Sequence, residues 1–63
     1  MCLSTAYEIV DGEPHEVCTM VSGAREEDGR VVLTDLMGAE TSVEGRIQSI
    51  DLLENKIFVA AAS

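Results

Sequence analysis

Turn signals cut this chain into pieces too short for a helix of useful length. Asp11-Gly12, Asp28-Gly29, Met37-Gly38 and Glu54-Asn55 each mark a tight reversal, and Ser22-Gly23 and Gly45 add further breaks. Asp-Gly between apolar runs is among the strongest short-range hairpin signals. What lies between the breaks must therefore pair laterally to satisfy its backbone.

The intervening stretches have the composition of strands. Leu3, Thr5, Tyr7 and Ile9 alternate with Ser4, Ala6, Glu8 and Val10, a period of two rich in β-formers. Pro14 cannot donate to a ladder, so a second strand is expected to resume at His15 and run to Val21, with Ala24 to Glu26 extending it around a bend. Arg30 to Leu36 and Ala39 to Gly45 read as the next two strands, the latter ending at its glycine. From Arg46 the apolar phase passes from Ile47 to Ile50 and Leu52, slipping by one residue at Ser49-Ile50. Such a slip fits a β-bulge or a sharp bend. Lys56 to Val59 is the last strand, and Ala60 to Ser63 is a weakly specified tail. The expectation is an all-β fold, a small antiparallel β-barrel or roll of about six short strands, forming one domain over residues 1–63. The expected core is Ile9, Val17, Val31, Leu33, Val43, Ile47, Ile50, Leu52, Ile57 and Val59.

Length and charge then narrow function. A chain of 63 residues buries only roughly 60% of its unfolded surface, so its core is marginal and a homodimer is expected to supplement it. The formal charge is −8, from 12 acidic and 4 basic residues. That balance opposes nucleic acid, whose binding relies on neutralised phosphates. Tyr7 and Phe58 are the only aromatics, too few for base stacking. No apolar run approaches a membrane span and no signal peptide is visible, so a cytoplasmic protein with reduced thiols is expected.

Cys2 follows Met1 and is small enough to permit removal of the initiator methionine. A cysteine at the terminus carries an α-amine and a thiol on adjacent carbons, and the deprotonated pair closes a five-membered chelate ring on a soft divalent metal. The plainer reading of Cys2 is an inert residue leading into the first strand. One such amine–thiolate pair supplies two donors; a twofold copy completes a four-coordinate site.

In order along the chain, Met1-Cys2, Leu36-Met37-Gly38, Glu44-Gly45-Arg46-Ile47 and Ile50-Asp51-Leu52 resemble the CooT-like family of small nickel-binding proteins. Members have also been labelled predicted RNA-binding proteins. The resemblance covers essentially the whole chain, with one departure: Ala39 stands where a glutamate often follows the turn glycine, and Glu40 comes one place later. It implies a small β-barrel homodimer that is not an enzyme and that binds nickel(II) through Cys2. It further implies a nickel carrier, or metallochaperone, serving maturation of a nickel enzyme such as carbon monoxide dehydrogenase. The expected site is Cys2, with the metal at the dimer twofold. The alternatives are a small RNA-binding module and a metal-free interaction module.

Other chemistry-bearing residues have plainer readings. Cys18 lies within the second strand and reads as a small core hydrophobe. His15, beside the first turn, reads as a surface residue, with an auxiliary metal ligand as the alternative. Glu26-Glu27-Asp28 reads as a solvated turn, and Met20 and Met37 as core or turn packing. Cys2 as an enzymatic nucleophile lacks an obvious oriented base, since His15 is the only histidine. Arg46 is an anion or nucleic-acid contact on one reading, and on the other an ion pair with one of many carboxylates, within the chain or across a dimer. The acidic excess favours the ion pair.

Overall fold

A computed structural model describes residues 3–62. It is all-β, with five strands among these residues: β1 (Ser4–Val10), β2 (Glu13–Glu27), β3 (Arg30–Asp35), β4 (Glu40–Asp51) and β5 (Lys56–Ala61). They close into a barrel in the order β1-β2-β3-β4-β5. Consecutive strands pair antiparallel, and the barrel shuts through a parallel β1–β5 ladder running from Thr5↔Lys56 to Ile9↔Ala60. Tyr7 and Phe58 stack across that seam with ring centroids 5.5 Å apart, a spacing favoured by aromatic pairs. Among the described residues no helix is long and apolar enough to cross a membrane.

The expectation of about six strands is corrected to five because Gly45 bends a strand rather than ending one. β4 pairs with β3 over Glu40–Glu44 and with β5 over Gly45–Asp51. β2 changes partner in the same way: it pairs with β1 up to Val21 and with β3 from Val21 onward. At that change Met20 takes a φ of 55°, an uncommon value for a side-chain-bearing residue, and the β1–β2 register shifts around it. The bend in β2 is the one expected near Ser22-Gly23, so β4 alone, one bent strand in place of two short ones, changes the count. The slip read at Ser49-Ile50 corresponds to a register shift between Ile47 and Ser49.

The turns follow the sequence closely. Asp11-Gly12 and Asp28-Gly29 both have two successive positive φ angles, the pattern of the hairpin turn whose twist matches that of its strands. Pro14, expected to lie in a break, sits instead within β2 opposite Ile9.

Ala6, Val21, Val31, Leu33, Val43, Ile57 and Val59 form one buried cluster, with Val17, Cys18 and Ile47 packed against it. Ile50 and Leu52, expected in the core, are exposed. Leu52 belongs to the β4–β5 turn, and Ile50 lies beyond the register shift that moves β4 off its earlier alternation. Ala6 on β1, Val21 at the bend of β2 and Val32 on β3, all outside the expected set, are also buried.

Candidate functional site

Cys2, the residue on which the sequence centres metal binding, lies outside the described residues. The surroundings of the strand that follows it are defined. Ser4, the first residue of β1, lies opposite Val21, which lies opposite Asp35. On the other side the Thr5 N–H donates to the Asn55 carbonyl at 2.9 Å. The start of β1 therefore stands between the β4–β5 turn and the region where β2 bends beside the β3–β4 turn. The Leu36 N–H donates to the Met20 carbonyl at 3.0 Å, joining that bend to that turn.

Both flanking turns present apolar side chains to solvent. Met37 is 88% exposed and Leu36 54%; Leu52 is 81% exposed and Leu53 96%. Both turns are also held in shape. Asp35 Oδ1 accepts the Met37 and Ala39 N–H groups, each at 2.9 Å. Asp51 Oδ1 accepts those of Leu53 at 2.9 Å and Glu54 at 3.1 Å. A carboxylate that caps its own turn fixes the backbone, so these apolar tips are presented by ordered loops. Asp at the first position of a turn is a recognised signal, and Asp51 of the Ile50-Asp51-Leu52 motif serves as such a cap.

The remaining candidates separate. Cys18 is partly buried against the core cluster, its thiol directed to the Thr19 carbonyl at 3.6 Å. That is the hydrophobe reading of the residue. His15 is exposed in β2. Among the described residues no three His, Cys, Asp or Glu side chains come together to hold a metal ion.

Charge is distributed unevenly. Arg25 bridges Glu27 at 3.3 Å and Glu40 at 3.2 Å, and its guanidinium is held above its usual pKa, chiefly by the hydrogen bond to Glu40. Lys56 lies 3.1 Å from Glu54 and is raised mainly by that hydrogen bond. Glu26 is more than a solvated turn residue: its Oε2 accepts the Ile47 N–H at 2.7 Å, tying β2 to β4. The ion pair expected of Arg46 does not form among the described residues. Arg46 lies opposite Ala60, which brings no carboxylate.

Comparison with known proteins adds two findings. A family model described as "CooT: CO dehydrogenase accessory protein CooT" matches residues 1–60. The crystal structure of a candidate CooT from Carboxydothermus hydrogenoformans superposes with a TM-score of 0.86 at 13% identity, over 98% of this chain and 100% of that one. At that identity the likeness is one of fold. No curated protein matches the sequence.

Proposed function

The chain belongs to the CooT family of CO dehydrogenase accessory proteins, and from that premise we propose that it carries nickel(II) to a nickel enzyme during maturation, with Cys2 as the metal ligand. The observation that carries this reading is the extent of the family match, residues 1–60, which includes Cys2. Donor chemistry agrees with it. Cys18, the other thiol, packs against the core, whereas the Cys2 thiolate has the α-amine beside it once Met1 is removed.

The proposal extends to assembly. Two copies sharing one nickel between their Cys2 residues would complete a four-coordinate site. The exposed apolar tips on either side of the β1 start are consistent with pairing there, because ordered apolar loops on so small a surface are costly to leave wet. An RNA-binding reading gains nothing from the barrel, since the formal charge of −8 opposes phosphate.

The test is nickel loading of three proteins, the wild type, Cys2→Ser and Cys18→Ser, read by metal content and by thiolate-to-nickel charge-transfer absorption. Absorption and stoichiometric nickel should vanish in Cys2→Ser and persist in Cys18→Ser. Equal loss in both variants would remove Cys2 from its assigned role.

A further inference from the structure

At the end of the barrel away from the start of β1 lies an open concavity of about 920 Å³. The parallel seam fixes its position: Thr5 lies opposite Lys56, whereas Ile9 lies opposite Ala60, and the concavity is lined by Ala60–Ala62 together with the β2–β3 turn and the Gly45 corner of β4. Arg30 and Arg46 both line it. The chain has 12 acidic and 4 basic residues, so three carboxylates are available for each cation. Arg25 and Lys56 have taken partners; Arg30 and Arg46 have no ion pair among the described residues. Arg30 even faces Glu44 across the β3–β4 ladder without pairing to it.

The acids on the same wall are differently placed. Glu27 is paired with Arg25, and Glu26 accepts the Ile47 N–H. Glycine and alanine make up much of the floor, at Gly29, Gly45 and Ala60–Ala62, so little side chain stands between an incoming group and the two guanidiniums.

We infer that this groove binds an acidic side chain presented by a partner protein, its carboxylate held by Arg30 and Arg46. The guanidinium fork matches the two oxygens of a carboxylate. Glu26, Glu27 and Asp28 on one wall repel a polyanion such as nucleic acid, but they suit a segment whose single negative charge is accompanied by N–H or cationic groups. The open form of the groove suits a length of polypeptide better than an enclosed metabolite. This inference does not depend on the nickel reading, because the groove lies at the opposite end of the barrel from the start of β1.

The experiment follows the side-chain Nε–H resonances of arginine by nuclear magnetic resonance. The probe is a short blocked peptide with one glutamate and one lysine. Controls are the same peptide with glutamine for glutamate, inorganic phosphate, and a single-stranded RNA. The acidic peptide should shift Arg30 and Arg46 saturably and leave Arg25 unmoved. Arg30→Gln and Arg46→Gln should each weaken binding about tenfold, the loss expected of a charge-assisted hydrogen bond. Both residues are exposed, so the variants keep the fold, and their nickel content should equal that of the wild type. No saturable shift, an equal response to the glutamine peptide, unchanged affinity in the variants, or phosphate or RNA binding more tightly than the peptide would each overturn the inference.

Discussion

Gly45 carries the sharpest single-residue constraint. Its φ is 143°, and a Cβ placed on it would run into the carbonyl oxygen of Ala60. The backbone of β5 is the obstacle, and β5 is paired to β4 on one side and β1 on the other, so it cannot retreat cheaply. Gly45→Ala should lose about 3 kcal/mol, from strain and forced repacking together. Gly12→Ala, where the φ is positive but nothing lies near the new methyl group, should lose about 1 kcal/mol. Denaturant unfolding of the two variants checks this, and equal losses would show that conformation rather than contact dominates at Gly45. The sequence announces a special glycine at position 45 but not which kind. A strand stop and a strand bend look alike until the approach of Ala60, fifteen places on, is known. Cys18 was legible for the opposite reason: burial of a lone thiol inside an alternating strand needs no knowledge of a distant partner.

At the scale of elements, β2 and β4 set the architecture because each serves two ladders. A strand that leaves one partner for another exposes a free edge, and the chain covers one such edge with a side chain. Glu26 on β2 accepts the Ile47 N–H of β4 at 2.7 Å, and one step away the Gly45 N–H donates to the Gly29 carbonyl at 3.0 Å. Glu26→Ala should cost about 1 kcal/mol, the net worth of a hydrogen bond at an exposed site, and should speed hydrogen exchange at Ile47 more than at the paired amides of β3. Glu26→Gln keeps an accepting oxygen and should lose less. An Ile47 amide equally protected in Glu26→Ala and wild type would deny the tie any role. Nothing in Glu26-Glu27-Asp28 distinguishes this from a solvated turn, since the acceptor's target lies 21 residues away. The Asp-Gly turns, by contrast, were legible because their backbone geometry is set by the two residues themselves. The bend in β2 was legible at Ser22-Gly23, whereas the one at Gly45 was not, because it depends on which partner each half of β4 finds.

The whole molecule poses a question of surface. Its radius of gyration is 10.6 Å, in line with a compact chain of this length, so Met37, Leu52 and Leu53 are not exposed through poor collapse. They are held outward on turns capped by Asp35 and Asp51. The all-β class could be read from local patterning, and the family from short motifs strung along the whole chain. Which apolar residues stay outside could not, because Ile50 and Leu52 continue an apolar phase in the sequence, and the register shift and turn that leave them exposed depend on pairing with β5. Exposed apolar tips beside the strand that follows Cys2 lead to the prediction about assembly. A second copy would cover apolar surface that a 63-residue core cannot enclose, and an isologous contact brings like residues together, Cys2 included. The opposing term is charge, since each copy brings −8, and repulsion between them is screened by salt. Pairing should therefore strengthen as ionic strength rises. Nickel bound only by the pair should strengthen it further by mass action. Native mass spectrometry should find a dimer carrying one nickel ion, with Leu52→Ser and Leu53→Ser shifting the population toward monomer. Sedimentation across a salt series should show the dimer gaining at higher salt. A monomer that carries its own nickel, or a dimer holding two equivalent ions, would rule out the shared site and leave Cys2 as a ligand within a single chain.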